Sequence, residues 1–311
     1  MFTKKLLLAL LVAPTLLSAE PLKLPTSITI PGGFEGDVTI KNLTWLNATL
    51  QLLYSLPEVK ESIKMTASQD EFTLATANFL KDPTNKDLYK KVYEAAPKSP
   101  TFDVVYAEPK NLVETLITNG LTEQQKDLFS FQLDKRKLTS LFIDYTTLQS
   151  ILNGEGISDQ SKYLLITVSS LYVTDSSKAT FPIDIFTCKN NELIGFIILE
   201  YTKDVSQPPF TVWKNDYKYK AYTKDPVENK WYMETFPIVS SIDLIKNMPL
   251  ELNPKNMQEI INQKFNPAYL AYHFPVVLIY KKIEKPADKP SEITTEDTNT
   301  FPDFVKALDQ I

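Results

Sequence analysis

Between Trp45 and Leu56 the chain carries no charged residue. Trp45, Leu46, Ala48, Leu50, Leu52, Leu53 and Leu56 recur there too densely for a helix with one wet face. Such a segment must be enclosed by other elements, so it belongs at the centre of a layered fold. The spacing predicts a helix over 44–63 with Thr44 as its N-cap. Pro25, Pro31, Gly32, Gly33 and Gly36 mark a loop before it.

Helical spacing continues downstream. Phe72, Leu74, Phe79 and Leu80, then Leu88, Val92 and Tyr93, then Leu112, Val113, Leu116 and Ile117 predict helix across 68–130. From about Leu128 the texture changes. Runs rich in β-branched and aromatic residues predict strands at 129–133, 162–173, 192–201, 217–224, 230–235 and 275–283. Turn residues such as Asp175-Ser176-Ser177, Lys189-Asn190-Asn191 and Asp225-Pro226 separate them. A further helix is expected at 257–264. The expected class is α+β: a helical half followed by a mostly antiparallel sheet, forming one composite domain over 20–283. Residues 284–299 turn to Pro, Lys, Glu, Asp and Thr and read as a linker; 301–311 reads as a short amphipathic docking segment.

The first nineteen residues read as a secretory signal. Lys4 and Lys5 precede an apolar run from Leu6 to Leu17, and Ala19 offers a small residue for cleavage before Glu20. The run is shorter than the roughly 20 residues a membrane span needs, so no transmembrane segment is expected after cleavage. The chain is expected to be exported, periplasmic or secreted. Removing Lys4 and Lys5 takes the formal charge from −5 to −7, which disfavours nucleic acid as a partner. Cys188 is the one cysteine, so an intramolecular disulfide is excluded, and with His273 the one histidine a Cys/His zinc site is excluded too. No phosphate-cradling glycine loop, metalloprotease motif or paired glycosidase carboxylates appear, so no cofactor or metal is expected. Asn42 and Asn47 open formal glycosylation sequons but fall in or beside the enclosed helix, which argues against their use.

Two stretches carry a family likeness. Thr44-Trp45-Leu46-Asn47-Ala48-Thr49-Leu50-Gln51 resembles the nucleophile box of ubiquitin-specific proteases, with Trp45 at its aromatic position and Leu50-Gln51 at its Leu-Gln pair. Asn42 matches the asparagine two residues before the nucleophile. Tyr217-Lys218-Tyr219-Lys220-Ala221-Tyr222 resembles the family's histidine box, and Lys230-Trp231-Tyr232 matches the Lys-Trp-Tyr before its orienting aspartate. Segments 162–168, 192–198 and 276–282 are similar, in the family order, to the strands around that box. Residues 103–117 retain only Glu114 and Leu116 of a further family helix. The resemblance covers roughly 38–63 and 160–283. It implies a papain-like fold with a helical thumb, an antiparallel β palm and, in the short cysteine-free stretch before Lys162, truncated fingers without zinc.

Carried over residue by residue, the resemblance puts Thr44 at the nucleophile, Lys218 at the general base, Thr235 at the orienting aspartate and Thr39 at the oxyanion-hole asparagine. All four family residues are replaced. A threonine hydroxyl needs a strong adjacent base, and Lys218 would serve only if burial lowered its pKa by several units. Thr44 is more simply a helix-start residue and Lys218 a solvated strand lysine. A relocated Cys188–His273 dyad is the remaining arrangement; both residues are more simply packing or loop positions.

The expectation is a catalytically inactive member that binds ubiquitin, a ubiquitin-like protein or another protein through retained surface, with Trp213, Tyr217, Tyr219, Tyr222 and Trp231 as contact candidates. Packing in the β core is the simpler role for those aromatics. Two other readings stand beside it. One is an active diverged deubiquitinase using Thr44 and Lys218. The other is an exported structural or assembly protein that keeps only the fold.

Overall fold

The computed structural model describes residues 22, 24–31, 36–40, 42–101, 104–133, 136–144, 147–155, 157–158, 161–169, 185–202, 218–225, 229–234, 250–252 and 271–283. The chain begins with an antiparallel hairpin of β1 (Ile28–Pro31) and β2 (Asp37–Ile40). Four helices follow: α1 (Thr44–Tyr54), α2 (Pro57–Met65), α3 (Glu71–Lys81) and α4 (Lys86–Ala95). A small hairpin, β3 (Ser99–Thr101) and β4 (Val104–Tyr106), leads to α5 (Pro109–Gly120) and α6 (Glu123–Lys126). Then come β5 (Phe131–Leu133), β6 (Arg136–Leu138), β7 (Leu141–Asp144), α7 (Leu148–Leu152) and β8 (Ile157–Ser158). The long strands close the chain: β9 (Tyr163–Ser169), β10 (Thr187–Cys188), β11 (Asn191–Thr202), β12 (Lys218–Lys224), β13 (Trp231–Glu234), β14 (Leu250–Leu252) and β15 (Ala271–Lys282).

The main sheet runs β14-β13-β12-β11-β15-β9-β7, with β10 paired to β11. Its ladders are antiparallel except β7–β9, which is parallel. A separate small sheet has the order β6-β5-β8. The class is α+β, helices first and sheet after.

Both faces of the main sheet are covered, which explains why its strands read as unbroken apolar runs rather than alternating ones. Tyr163, Leu165, Ile197, Leu199, Tyr219, Ala221, Val277 and Ile279 pack with the helices in one core. Leu164, Ile166, Val168, Phe196, Ile198, Tyr222, Leu278 and Tyr280 enter a second core on the other face, closed by Leu148, Ile151 and Leu152 of α7 and by Ile185. There the Tyr280 hydroxyl donates to the Ile185 carbonyl at 2.7 Å.

The expected central helix is central: Trp45 to Leu53 are all buried, and α1 packs against β12, β11, α5 and α2. Its predicted extent needs correction. The 44–63 segment divides at Ser55-Leu56, because Pro57 opens α2 and the residue before a proline is pushed out of helical geometry; Leu56 sits at φ −100°, ψ 100°. Thr44 is not the N-cap either. Leu43 holds that position, with no side-chain cap bond, and Thr44 is the first helical residue. The predicted helical stretch 68–130 is likewise interrupted by β3 and β4, where Pro97 and Pro100 stop α4 from continuing. The predicted helix at 257–264 and the segment 284–311 lie outside the described residues. Among the described residues no helix is long and apolar enough to cross a membrane.

Two contacts seat the helical layer on the sheet. Gly195 of β11 lies under α1: a Cβ there would stand 2.6 Å from Leu52 Cδ1 and 3.5 Å from the Tyr222 carbonyl. Glu58, in the first turn of α2, accepts from Lys162 Nζ and, at 2.7 Å, from the buried Tyr163 hydroxyl. Burial works to raise the Glu58 pKa, but the hydrogen bonds from Lys162 and Tyr163 outweigh it and hold the carboxyl below its usual range. Burial and the facing carboxylate push the Tyr163 hydroxyl well up.

Gly195→Val should cost about 1–3 kcal/mol by overpacking the α1–β11 contact, read as a lower denaturant midpoint at unchanged slope. An unchanged midpoint would show that α1 does not press on β11. Because Glu58 is held low in the fold, its contribution is present above the unfolded carboxyl value of about 4.3 and is lost as pH falls through the lower folded value. Wild type should therefore exceed Glu58→Gln by about 1 kcal/mol at pH 6, a figure discounted for the partial exposure of the pair. The gap should close below about pH 4; a constant gap down to pH 3 contradicts the assignment.

Candidate functional site

The positions singled out by sequence fall on several elements, of which α1 and β12 pack against each other. At α1 the backbone turns in through Asn42. Its side-chain oxygen accepts from the Thr44 hydroxyl at 3.0 Å, and its carbonyl accepts from Trp45 Nε1 at 3.1 Å. The Thr44 proton is thus directed at an amide oxygen, a group with no basicity in water. Thr39 lies on β2, exposed, paired with Thr29. Thr235 lies outside the described residues.

Strand β12 settles where Lys218 sits. Leu199 pairs with Tyr219 and Ile197 with Ala221, and all four belong to the helix-side core. Side chains alternate along a strand. Lys218 and Lys220 therefore share the opposite face with Tyr222, whose ring stacks on Phe196 at 4.6 Å and 3°. The fold brings α1 onto β12 but turns Lys218 away from the helix layer that carries Thr44. A nucleophile and its base need about 2.6–3.2 Å between them, and this arrangement does not provide it.

The aromatic contact candidates among the described residues take the simpler role, packing in the β core. Tyr219, Tyr222 and Trp231 are 4%, 6% and 4% exposed. Tyr219 packs in the helix-side core, while Trp231 meets Phe196 and Phe186 edge-on, each at 5.7 Å, in the second core. These rings hold the sheet together rather than face a partner. They read as surface candidates because one strand's alternation does not reveal that both its faces are covered. Trp213 and Tyr217 lie outside the described residues.

Cys188 and His273 are held apart. Cys188 in β10 is buried, which pushes its thiol pKa up despite the hydrogen bond from Asn191 at 3.6 Å. Its partner in register is Asn191, which pairs in turn with Lys282 at one end of β15, whereas His273 pairs with Glu200 near the other end. Nine strand residues separate the two ends, about 30 Å at roughly 3.3 Å per residue. No dyad forms. Among the described residues no group of three His, Cys, Asp or Glu is placed to hold a metal.

What sequence reasoning missed is a set of buried polar side chains on α1. Asn47, Thr49 and Gln51 are all at most 2% exposed. Asn47 donates to the Pro25 carbonyl at 2.9 Å and accepts from the Tyr89 hydroxyl of α4, so one amide ties α1 to the segment before β1 and to α4. Burial pushes the Tyr89 hydroxyl well up, keeping it a donor. Thr49 turns its hydroxyl onto the Trp45 carbonyl at 2.9 Å. The Gln51 side-chain oxygen is buried without a hydrogen-bond partner. The signal was available: polar residues inside an enclosed apolar helix must find partners. The same burial of Asn47 rules out its use as a glycosylation acceptor in the folded chain.

Comparison with known proteins adds little. No family model matches the chain, and no curated protein matches it. Among solved structures, one titled "Crystal structure of an essential yeast splicing factor" is similar at a TM-score of 0.43 and 10% identity, over 83% of this chain and 73% of that one. A likeness at this level carries no argument about function.

Asn47→Leu should cost about 1–3 kcal/mol, because it leaves the buried Tyr89 hydroxyl and the Pro25 carbonyl without their partner; Tyr89→Phe should cost about 1 kcal/mol, and Thr44→Ala less than that. Chemical denaturation of the three variants checks the order. A Thr44→Ala loss larger than that of Asn47→Leu would reverse the assignment of which residue organises this end of α1.

Proposed function

We propose that this chain is an exported, catalytically inactive protein of ubiquitin-specific-protease type that binds a protein partner. The motif order supports it: a nucleophile-like box on an enclosed helix, followed by a histidine-like box on a strand packed against that helix. The observation that carries inactivity is the Thr44 hydroxyl directed at the Asn42 amide oxygen, with Lys218 on the far face of β12. Hydroxyl attack needs a base within reach to take the proton, and an amide oxygen cannot do so. An active enzyme built on Thr44 and Lys218 would need β12 to rotate its alternation, which would expose Tyr219 and Ala221 and empty the helix-side core. Ubiquitin or a ubiquitin-like protein is the partner class implied by the resemblance.

A second reading, that the chain keeps the fold as an exported assembly protein, is favoured by one observation. Tyr219, Tyr222 and Trp231 are packing residues, so the aromatic surface expected of a retained contact is not built from them.

Titration of residues 20–311 into labelled ubiquitin, beside a ubiquitin C-terminal activity probe and a cleavable reporter, separates the readings. Saturable binding with no probe labelling and no turnover is expected. Turnover abolished by Thr44→Ala would overturn the inactive reading. Absence of both binding and turnover would transfer support to the assembly reading.

A further inference from the structure

Asn119-Gly120 and Asn153-Gly154 are the two places where a glycine follows an asparagine. Such a pair is reactive. Glycine has no Cβ to shield its backbone nitrogen, so that nitrogen can attack the asparagine side-chain carbon and close a cyclic imide. In both places the fold demands the glycine. A Cβ at Gly120 would stand 3.1 Å from Ile63 Cγ1, where α2 meets α5. Gly154 follows α7 at φ +80°, the left-handed turn that ends many helices, and a Cβ there would stand 2.9 Å from Lys189 Cδ.

The end of α7 holds the second pair back from reacting. Gly154 N–H donates to the Ile151 carbonyl at 2.9 Å, so the attacking nitrogen is committed to the helix end. The Asn153 side-chain oxygen accepts from Gln149 Nε2 at 3.1 Å, and Asn153 N–H donates to the Gln149 carbonyl at 3.0 Å. The carbon to be attacked is thus anchored one turn back along the helix. Both restraints last only while α7 is formed. That helix has five residues, whereas α5, which holds Asn119, has twelve. Short helices open more readily than long ones. Asn153 is exposed at the surface, whereas Gly120 is buried against Ile63.

We propose that Asn153-Gly154 is a self-modification site gated by α7: when the helix opens, Asn153 converts to aspartate and isoaspartate, and the isoaspartate form prevents α7 from closing again. The Gly154 nitrogen bonds to Asn153 Cγ. The bond from Cγ to the side-chain nitrogen breaks, and that nitrogen leaves as ammonia with the proton Gly154 gives up. Water then opens the imide at either of its two carbonyls. One opening restores the ordinary backbone with an aspartate. The other routes the backbone through the side chain, one methylene longer. The longer path disturbs the hydrogen bonds from Gly154 to Ile151 and from Glu155 to Ser150, and it moves Gly154 from beneath the Lys189 stem. Because α7 supplies Leu148, Ile151 and Leu152 to the second core, conversion loosens the cover on that face of the sheet. The site is independent of the binding role proposed above.

The test ages the purified full chain at neutral pH, folded and in denaturant, beside Gln149→Met, which keeps side-chain length and helix propensity but removes the donor. Peptide mapping that separates asparagine, aspartate and isoaspartate reads residues 119 and 153. In the folded chain residue 153 should convert at least about tenfold more slowly than in denaturant, as a required local opening dictates, yet ahead of residue 119. Gln149→Met should speed residue 153 about twofold, the worth of one such helix pair, and leave residue 119 unchanged. Hydrogen exchange supplies a second measurement: amides 148–152 should exchange faster in the isoaspartate form, while Asn153→Asp, which keeps the ordinary backbone, stays protected. A folded chain that converts at neither residue overturns the site. Equal rates folded and denatured, residue 119 keeping pace with 153, or a rate that Gln149→Met does not move overturns the gate. An isoaspartate form as protected at 148–152 as the unmodified chain overturns the failure to reclose.

Discussion

Everything in this structure depends on burying one uncharged helix. α1 has no face that water can wet, so the chain surrounds it: α2 and α5 pack on it, Leu22, Leu24 and Ile28 join its core, and β11 and β12 lie against it. β11 presents Gly195 where the Leu52 side chain comes down, which leaves room for that side chain against the sheet. The ladder between β11 and β15 is irregular at that point, between Leu193 and Gly195, as is common at a glycine within a strand. The helical layer and the sheet are therefore one packing unit about α1, and Glu58 with Lys162 and Tyr163 closes its far edge.

The stretches that resemble the family boxes lie on α1 and β12, which pack against each other, and several of their residues serve that packing. Thr44 satisfies Asn42, Trp45 anchors the same residue through its indole, and Tyr219 and Ala221 fill the floor beneath α1.

Much of the fold was legible from residue pattern. The central helix was readable because its apolar residues were too dense for a surface, and β11 and β15 because runs rich in β-branched and aromatic residues stood out at 192–201 and 275–283, the first opened by the Lys189-Asn190-Asn191 turn. Helix breaks were less so. Pro57 was outweighed by the surrounding periodicity, although its effect on Leu56 is local and strong. Short elements such as β7 and α7 were missed because four or five residues give no period to detect. The site was legible only as a set of replaced positions. Strand alternation gives two faces but not which one meets the helices; the sequence favoured core packing for Tyr219, Tyr222 and Trp231, and the pairing of β12 with β11 shows which core each ring enters. The Asn47 relay joins residues 25, 47 and 89, and that closure is a property of the tertiary fold alone.

The order of the strands has its own consequence for how the chain matures. Among the described residues β15 is the last strand in sequence, yet it lies inside the sheet, between β11 and β9. Until it is synthesised, both of its neighbours present open backbone edges, and the pairing of Asn191 with Lys282 closes a loop of about 90 residues. Such late, long-range pairing makes folding slow, and unpaired edges meanwhile are sticky. The same delay keeps the chain threadable. A sheet that cannot be completed before β15 emerges stays open through most of the chain's synthesis, so its two halves are held apart until a single late strand joins them.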